Sequence, residues 1–373
     1  MEHWKEYQLG DLLNFRRGHD LPKSEMIAGD IPVAGSNGVI GFHNEATPIS
    51  PCITIGRSGN VGTPNFYEKC WAHNTVLYID DFKENNPEFL FYLLKTIPLK
   101  SFGGGSAVPT LNRNHIHPIV VKSTKDIKLQ QKIVEILKSL DEKIELNRQI
   151  NDNLEQQAQA LFKSYFVDKA KSEWEETSLC DVCCQITDGV HNSVSDTING
   201  GFYLLSCKNI KNGQLSIGTT EREIDAETFN KLRKRTKLDK GDILLTSVGT
   251  IGELFLLMFE PHNIEFQRSV AIIKPNNDYV SSYFLYELLQ TQNTQIKNLA
   301  HGAVQQCIFI SDLKGYNFTL PDKDTISQFD EIVAPIFQKK TELNNEILSL
   351  VQLRDTLLPR LMSGELEINE INC

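Results

Sequence analysis

Residues 145–150 read ELNRQI, and residues 342–347 read ELNNEI, nearly the same helix-like phrase 197 positions later. Internal similarity reorganises every other reading of a chain, and here it is pervasive. WKEYQLGDL at Trp4–Leu12 is echoed by WEETSLCDV at Trp174–Val182, an offset of 170 residues. ITIGRSGNVG (Ile53–Gly62) aligns with ILLTSVGTIG (Ile243–Gly252) at 190, and NTVLYI from Asn74 with RSVAII from Arg268 at 194. SAVPTL around Ala107 aligns with GAVQQC around Ala303 at 196. An insertion inside a repeat shows as a jump in offset, and almost all of the growth falls between positions 182 and 243. Two copies of one unit therefore share their ends and core strands but differ in the connecting segments, where binding specificity usually resides. The copies are expected to do the same job on different targets.

Each copy has the same internal order. Short apolar runs bounded by Gly, Pro and Asn (CITIG, NTVLYI, HPIVV, DILLTSVG, SVAIIKP) read as strands. NPEFLFYLLKTI and SSYFLYELLQTQ carry apolar residues at helical spacing in corresponding places. The first part of each copy is thus a mixed α and β globule.

A different pattern follows it. From Asp126 to Asp168 there is neither Pro nor Gly, and Leu137, Leu140, Ile144, Asn147, Asn151, Leu154, Ala158, Leu161 and Tyr165 step by threes and fours. That is a coiled-coil seam interrupted by two asparagines, about 65 Å long if fully helical. The matching segment runs from Thr325 to about Met362, with Ile336, Leu343, Ile347, Leu350, Leu357 and Leu361 as its stripe. Pro335 is expected to start or kink it, and Pro359 to bend or end it. Neither helix hides its stripe within its own sequence. The economical solution packs the two antiparallel about a pseudo-twofold axis, with Asn147 and Asn344 fixing register. The alternative lays each helix on its own globule.

The domain reading is 1–122, a first globule; 123–170, a central spacer helix; 171–321, a second globule; and 322–373, a C-terminal helix and tail. With 373 residues, two domains are the starting expectation. No apolar run reaches membrane-spanning length and the N-terminus lacks signal-peptide regions, so a soluble cytoplasmic protein is expected. The eight cysteines then read as reduced thiols. CDVCC (Cys180, Cys183, Cys184), with His191 and Cys207 downstream, lacks the second close pair that a zinc finger needs.

Duplication also tests for catalysis, because a duplicated enzyme should duplicate its catalytic residues. No Walker-type loop occurs. SFGGGSAVP keeps a single glycine in its partner LAHGAVQQ, and NNPEF (Asn85–Phe89) lacks the second proline of an amino-methylation motif. His115 and His117 have no counterpart in the second copy. The chain therefore reads as one that binds and positions. A net charge of −10 argues against coating nucleic acid over the whole surface, yet local basic stretches exist: Arg16 and Arg17, and KLRKRTK from Lys231 to Lys237. The paired loops GRSGNVG and TSVGTIG read either as places where backbone amides and hydroxyls meet a phosphate chain, with cations from Arg57 and Arg268, or as tight hairpins with no ligand.

These pieces together resemble the specificity subunits of type I restriction-modification enzymes. The resemblance rests on WKEYQLGDLLNFRRGHDLP, IGRSGNVG, GGGSAVPTLNRNHI, QQKIVEIL, LDEKIELNRQI, LFKSYF and LRDTLLPRLMSGEL (Leu353–Leu366), and it covers essentially the whole chain. It implies an α+β, internally duplicated fold: two target recognition domains, each reading half of a bipartite double-stranded DNA target, separated by two long antiparallel helices acting as a ruler. It also implies no cofactor on this chain. Two modification subunits would carry S-adenosylmethionine and the methylation chemistry, and restriction subunits would add ATP- and Mg-dependent translocation and cleavage. The asymmetric insertion predicts a non-palindromic target. Candidate DNA contacts are Arg16, Arg17, Arg57, Ser58, Asn60, Arg113 and Asn114 in the first copy, and Lys208, Lys231, Arg233, Lys234, Arg235, Lys237 and Arg268 in the second. The second copy lacks PTLNRN, so roles in that loop transfer poorly. A stand-alone methyltransferase or nuclease with degenerate motifs, and a coiled-coil adaptor without DNA binding, are the rival readings.

Overall fold

The computed structural model describes residues 4–103, 110–218, 220–302 and 306–366. The glycine-rich stretch 104–109 and much of the SAVPTL/GAVQQC match lie outside the described residues. The chain divides into two compact units, 1–146 with 346–373, and 147–345.

The first unit contains β1 (Lys5–Gln8), α1 (Leu9–Leu12), β2 (Asn14–Arg17), β3 (Ile31–Gly35), β4 (Gly38–His43), β5 (Cys52–Gly56), β6 (Pro64–Tyr67), β7 (Trp71–Ala72), β8 (Val76–Asp81), α2 (Pro87–Thr96), α3 (Arg113–Ile116), β9 (Val120–Ser123) and the start of α4 (Ile127–Phe166). Strands β2-β8-β5-β6 form one sheet, β4-β3-β7 a second, and β1 closes antiparallel on β9. CITIG is buried at every position because β5 is an inner strand covered on both faces. One face packs on Phe89, Leu90, Leu93 and Leu94 of α2, Ile133 and Leu137 of α4, and Leu361 and Met362. The other face meets the second sheet through a small cluster of Ala34, Cys52, Cys70, Ala72, Val76 and Tyr78. Asn86 caps α2 by accepting from the Phe89 N–H, and Pro87 occupies a position whose amide would be unpaired anyway.

The second unit takes the end of α4 and adds β10 (Glu175–Ser178), α5 (Leu179–Val182), β11 (Cys183–Asp188), β12 (Phe202–Leu205), β13 (Ile210–Lys211), β14 (Gln214–Leu215), β15 (Glu223–Ile224), α6 (Ala226–Thr236), β16 (Ile243–Thr246), β17 (Leu254–Leu256), β18 (Ile264–Phe266), β19 (Val270–Pro275), α7 (Ser282–Thr291), α8 (Asn293–Lys297), α9 (Ile310–Lys314), β20 (Asn317–Leu320) and the first part of α10 (Lys323–Ser363). Its sheets β11-β19-β16-β17 and β15-β12-β18, with β10 on β20, repeat the first unit strand for strand. The parallel pairing of Ala34 with Ala72 recurs as Leu205 with Phe266, so the repeat offset is still 171 at Leu205. The extra residues therefore lie between Leu205 and Ile243. They build the β13–β14 hairpin and α6, elements for which the first unit has no equivalent.

Both long helices run unbroken, α4 over 40 residues and α10 over 41, and both cross the boundary between units. Within the first unit Arg354 bonds Asp141 at 2.8 Å and Lys143 pairs with Glu346 at 3.3 Å. Within the second, Asn151 donates to Asn344 at 2.8 Å and Lys340 pairs with Glu155. Numbers rise along α4 as they fall along α10, so the helices are antiparallel. They pack on each other and on the globules together: Leu137 and Leu361 join the first core, and Ala158, Phe162, Phe329 and Phe337 the second. Asn344 takes its bond from Asn151, while Asn147 is fully buried with both side-chain polar atoms unpartnered.

Pro335 and Pro359 neither start nor end α10. Both lie inside it, on its exposed side. The carbonyls of Glu331 and Asp355 that they leave without a helical donor belong to exposed residues, which lowers the cost of the missing bonds. No described helix is long and apolar enough to cross a membrane.

Candidate nucleic-acid interface

The matched glycine loops are the hairpin turns β5–β6 and β16–β17, at the same end of equivalent sheets. Gly59 and Gly62 have φ of 78° and 77°, and Gly249 and Gly252 have 82° and 89°, so the loop glycines supply backbone that other residues rarely adopt. The Gly62 N–H donates to the Gly56 carbonyl at 2.8 Å, as Gly252 does to Thr246 at 2.9 Å.

Around each turn the same hydrogen bonds join three chain segments. Arg57 N–H donates to the Thr75 carbonyl at 2.9 Å and the Arg57 carbonyl accepts from Leu111 at 2.8 Å. Ser247 N–H donates to the Ser269 carbonyl at 2.9 Å and its carbonyl accepts from Ile308 at 2.9 Å. The Thr75 hydroxyl accepts from the Ser36 amide at 3.2 Å, and the Ser269 hydroxyl from the Cys207 amide at 3.1 Å. His73 donates to Ala34, and Gln267 to Leu205, at 3.0 and 2.8 Å. This joint fastens the second sheet of each unit, whose connecting segments differ between copies, to the first sheet. The amides of Gly56, Arg57, Ser58, Val61 and Gly62 all donate inside the unit, leaving only the tip of the loop to meet a ligand.

The candidate contacts of the first unit fall into two groups. Arg17 ends β2, whose neighbour Gly18 donates to Val76, so it lies at the same sheet end as Arg57, Ser58 and Asn60. Arg57 is half-buried and has no ion pair among the described residues; Ser58 bridges to Thr110; Asn60 is exposed and accepts from Thr63. The second group sits further down the sheet. Arg16 lies beside Tyr78, and Arg113, opening α3, reaches the Phe15 carbonyl at 3.4 Å, with exposed Asn114 next to it. His117 accepts from the Phe15 N–H at 3.1 Å, and burial, then Arg113 and Lys83, push its pKa down, so it is a neutral structural acceptor.

In the second unit α6 separates its cations. Arg233, one of the candidate contacts, is engaged inside the unit: its guanidinium pairs with fully buried Glu265, donates to the carbonyls of Leu238, Pro261 and Ile264 at 3.1, 2.7 and 2.8 Å, and lies over the Phe229 ring. With each of its three nitrogens engaged, it anchors α6 to β18. Arg235 turns to the carbonyls of Asp188 and Gly189 and to the Asp188 carboxylate, which His191 also contacts at 2.7 Å. Lys208 pairs with Glu221 at 2.9 Å. Lys231, Lys234 and Lys237 are exposed and have no ion pair among the described residues; Lys237 caps the helix in the left-handed conformation. Arg268 is exposed beside Cys307.

The shared hydroxyls Thr75 and Ser269 were not among the candidates. Their signal was present: both open the matched NTVLYI and RSVAII strands at the same offset. Among the described residues no group of three or more His, Cys, Asp or Glu is gathered to hold a metal ion; Cys180 and Cys184 are exposed, and burial pushes the Cys183 thiol up to about 12.

A duplicated α and β unit, with both sheets repeated on a shared joint and varied connections around one of them, defines a two-headed recognition protein. Residues 1–156 and 171–353 match the family model of the type I restriction modification DNA specificity domain, and the chain belongs to that family. It is 27% identical over 316 residues to the type I restriction enzyme MjaIX specificity subunit of Methanocaldococcus jannaschii, covering 76% of this chain and 70% of the relative. It is 25% identical over 362 residues to the HindI specificity subunit of Haemophilus influenzae, covering 75% and 77%. The fold is similar to the crystal structure of the S subunit of a type I restriction-modification system from M. genitalium, with a TM-score of 0.63, 17% identity and 96% of each chain covered.

Proposed function

We propose that this chain is the non-catalytic DNA-specificity subunit of a cytoplasmic type I restriction-modification complex. Each unit reads one half of a bipartite double-stranded DNA target. The long helices set the spacer and carry two modification subunits, which bring S-adenosylmethionine; restriction subunits join that core and bring ATP and Mg-dependent cleavage. One observation carries this reading: two units repeat both sheets and their glycine-loop joint but connect the second sheet differently, by a direct β3–β4 turn in one and through the β13–β14 hairpin, with α6 added after β15, in the other. A varied element on a fixed scaffold is what two different half-sites require. Exposed Arg17 and Arg268, and half-buried Arg57, supply cations at the joints, and Lys231, Lys234 and Lys237 supply them along α6.

The test is a map of methylated adenines in the genome of the host, with and without this gene. The expected result is a split, asymmetric motif that disappears with the gene. A continuous or palindromic motif, or a map that does not change, would overturn the reading.

A further inference from the structure

Cys52 on β5 and Cys70, in the segment entering β7, are both fully buried, and their sulfurs lie 2.6 Å apart. Two non-bonded sulfur atoms do not rest so close, and a thiol is too weak a donor to draw them together. Their neighbours are apolar: Ala34, Ala72, Val76 and the Tyr78 ring, with Ile49 and Tyr67 at the edge. No histidine or carboxylate joins them in a metal-holding group among the described residues. The adjoining Cys52 thiol, then burial, push the Cys70 thiol up, so the nucleophilic thiolate is scarce in the folded chain. The matched positions of the second copy hold Asp242 and Ile264, so the pair is private to the first unit.

We propose that Cys52 and Cys70 are a modification site, a dithiol that closes to an intramolecular disulfide and locks β5 of the four-stranded sheet to the segment entering β7 of the three-stranded one. The oxidant is a small disulfide. One cysteine thiolate attacks it, forming a mixed disulfide and releasing one small thiol; the second cysteine, losing its proton, displaces the other small thiol and forms the protein S–S bond. The protein loses two protons and two electrons, and the small disulfide takes them up to become two thiols. Because both sulfurs are inaccessible, closure waits on local opening or takes place as the chain folds, whereas exposed Cys180 and Cys184 react at once. This replaces the reading of all eight cysteines as independent reduced thiols.

The full chain is exposed to oxidised glutathione in two arms, folded and refolding from denaturant, then quenched in acid, alkylated under denaturing conditions, digested and mapped by mass. The expected product in the refolded arm is a Cys52 peptide joined to a Cys70 peptide, lighter by two hydrogens than the reduced pair, restored by dithiothreitol and missing from C52A and C70A. The folded arm should give the same product more slowly than it modifies Cys180 and Cys184. Refolded chain in which Cys52 and Cys70 both carry the alkyl label, or in which either is joined to a different cysteine, would overturn the proposal.

Discussion

Arg233 shows how a cation picked out as a candidate DNA contact is also tied into the fold. In KLRKRTK it is one cation of five, and only the fold reveals that Glu265 is fully buried opposite it. Removing one partner of a buried pair leaves the other charge stranded. Arg233→Ala should therefore cost about 3–5 kcal/mol of stability in denaturant unfolding, and Arg233→Lys should recover little, because an ammonium cannot replace a guanidinium that spans four acceptors. A variant as stable as the parent would refute the anchor role. Glu287 is a second buried acid, with both oxygens unpartnered. Burial, then the Glu155 charge, push it up to about 8, and Lys340 opposes them. Between its ordinary value near 4.5 and about 8, the folded chain holds a proton that the unfolded chain has released. Stability contributed by this group is thus present at low pH and falls as pH rises through that window, by at most about 1.4 kcal/mol per unit. Relative to their difference at pH 4, Glu287→Gln should gain progressively on the parent toward pH 8 in thermal unfolding; parallel curves would show that Glu287 does not titrate there.

At the scale of elements, α6 has two faces with separate tasks. Arg233 and Phe229 face the sheet, and Lys231 and Lys234 face out. Replacing the two lysines with alanine removes charge without removing packing, and alanine suits a helix. In the assembled complex DNA affinity should fall, and the dependence of log K on log salt should become shallower by up to about 2, while the thermal midpoint moves far less than for Arg233→Ala. An unchanged salt slope would remove α6 from the interface. Elements with a strong period were legible from sequence: the strands CITIG and SVAIIKP, the helices at 87–96 and 282–291, and α4 and α10. The β13–β14 hairpin was legible only as a jump in offset, because a two-residue strand has too few positions to show a pattern. The prolines of α10 misled for a related reason. A proline's penalty depends on whether the carbonyl it orphans can reach water, and that depends on which side of the helix it occupies.

For the whole molecule, each unit owns half of each long helix. If those helices set the spacer of the target, inserting seven helix-forming residues into both, after Leu146 and after Asn345, lengthens each by about 10 Å. The methylated motif should then keep both half-sites and gain about three base pairs between them, at about 3.4 Å each. Altered half-sites, or an unaltered spacer, would separate the helices from spacing.

The sequence by itself determined that this protein is a duplication, where its two copies diverge, and that two long helical segments join them. These follow from short-range facts, residue order and hydrophobic period, which a linear string preserves. Only the tertiary structure decided which cations are free, which asparagines meet, that Thr75 and Ser269 pin the second sheet of each unit to the first, and that two cysteines eighteen residues apart share one small core. Such facts depend on which groups burial brings together, and a charge's role is fixed by the neighbour that neutralises it, wherever in the chain that neighbour lies.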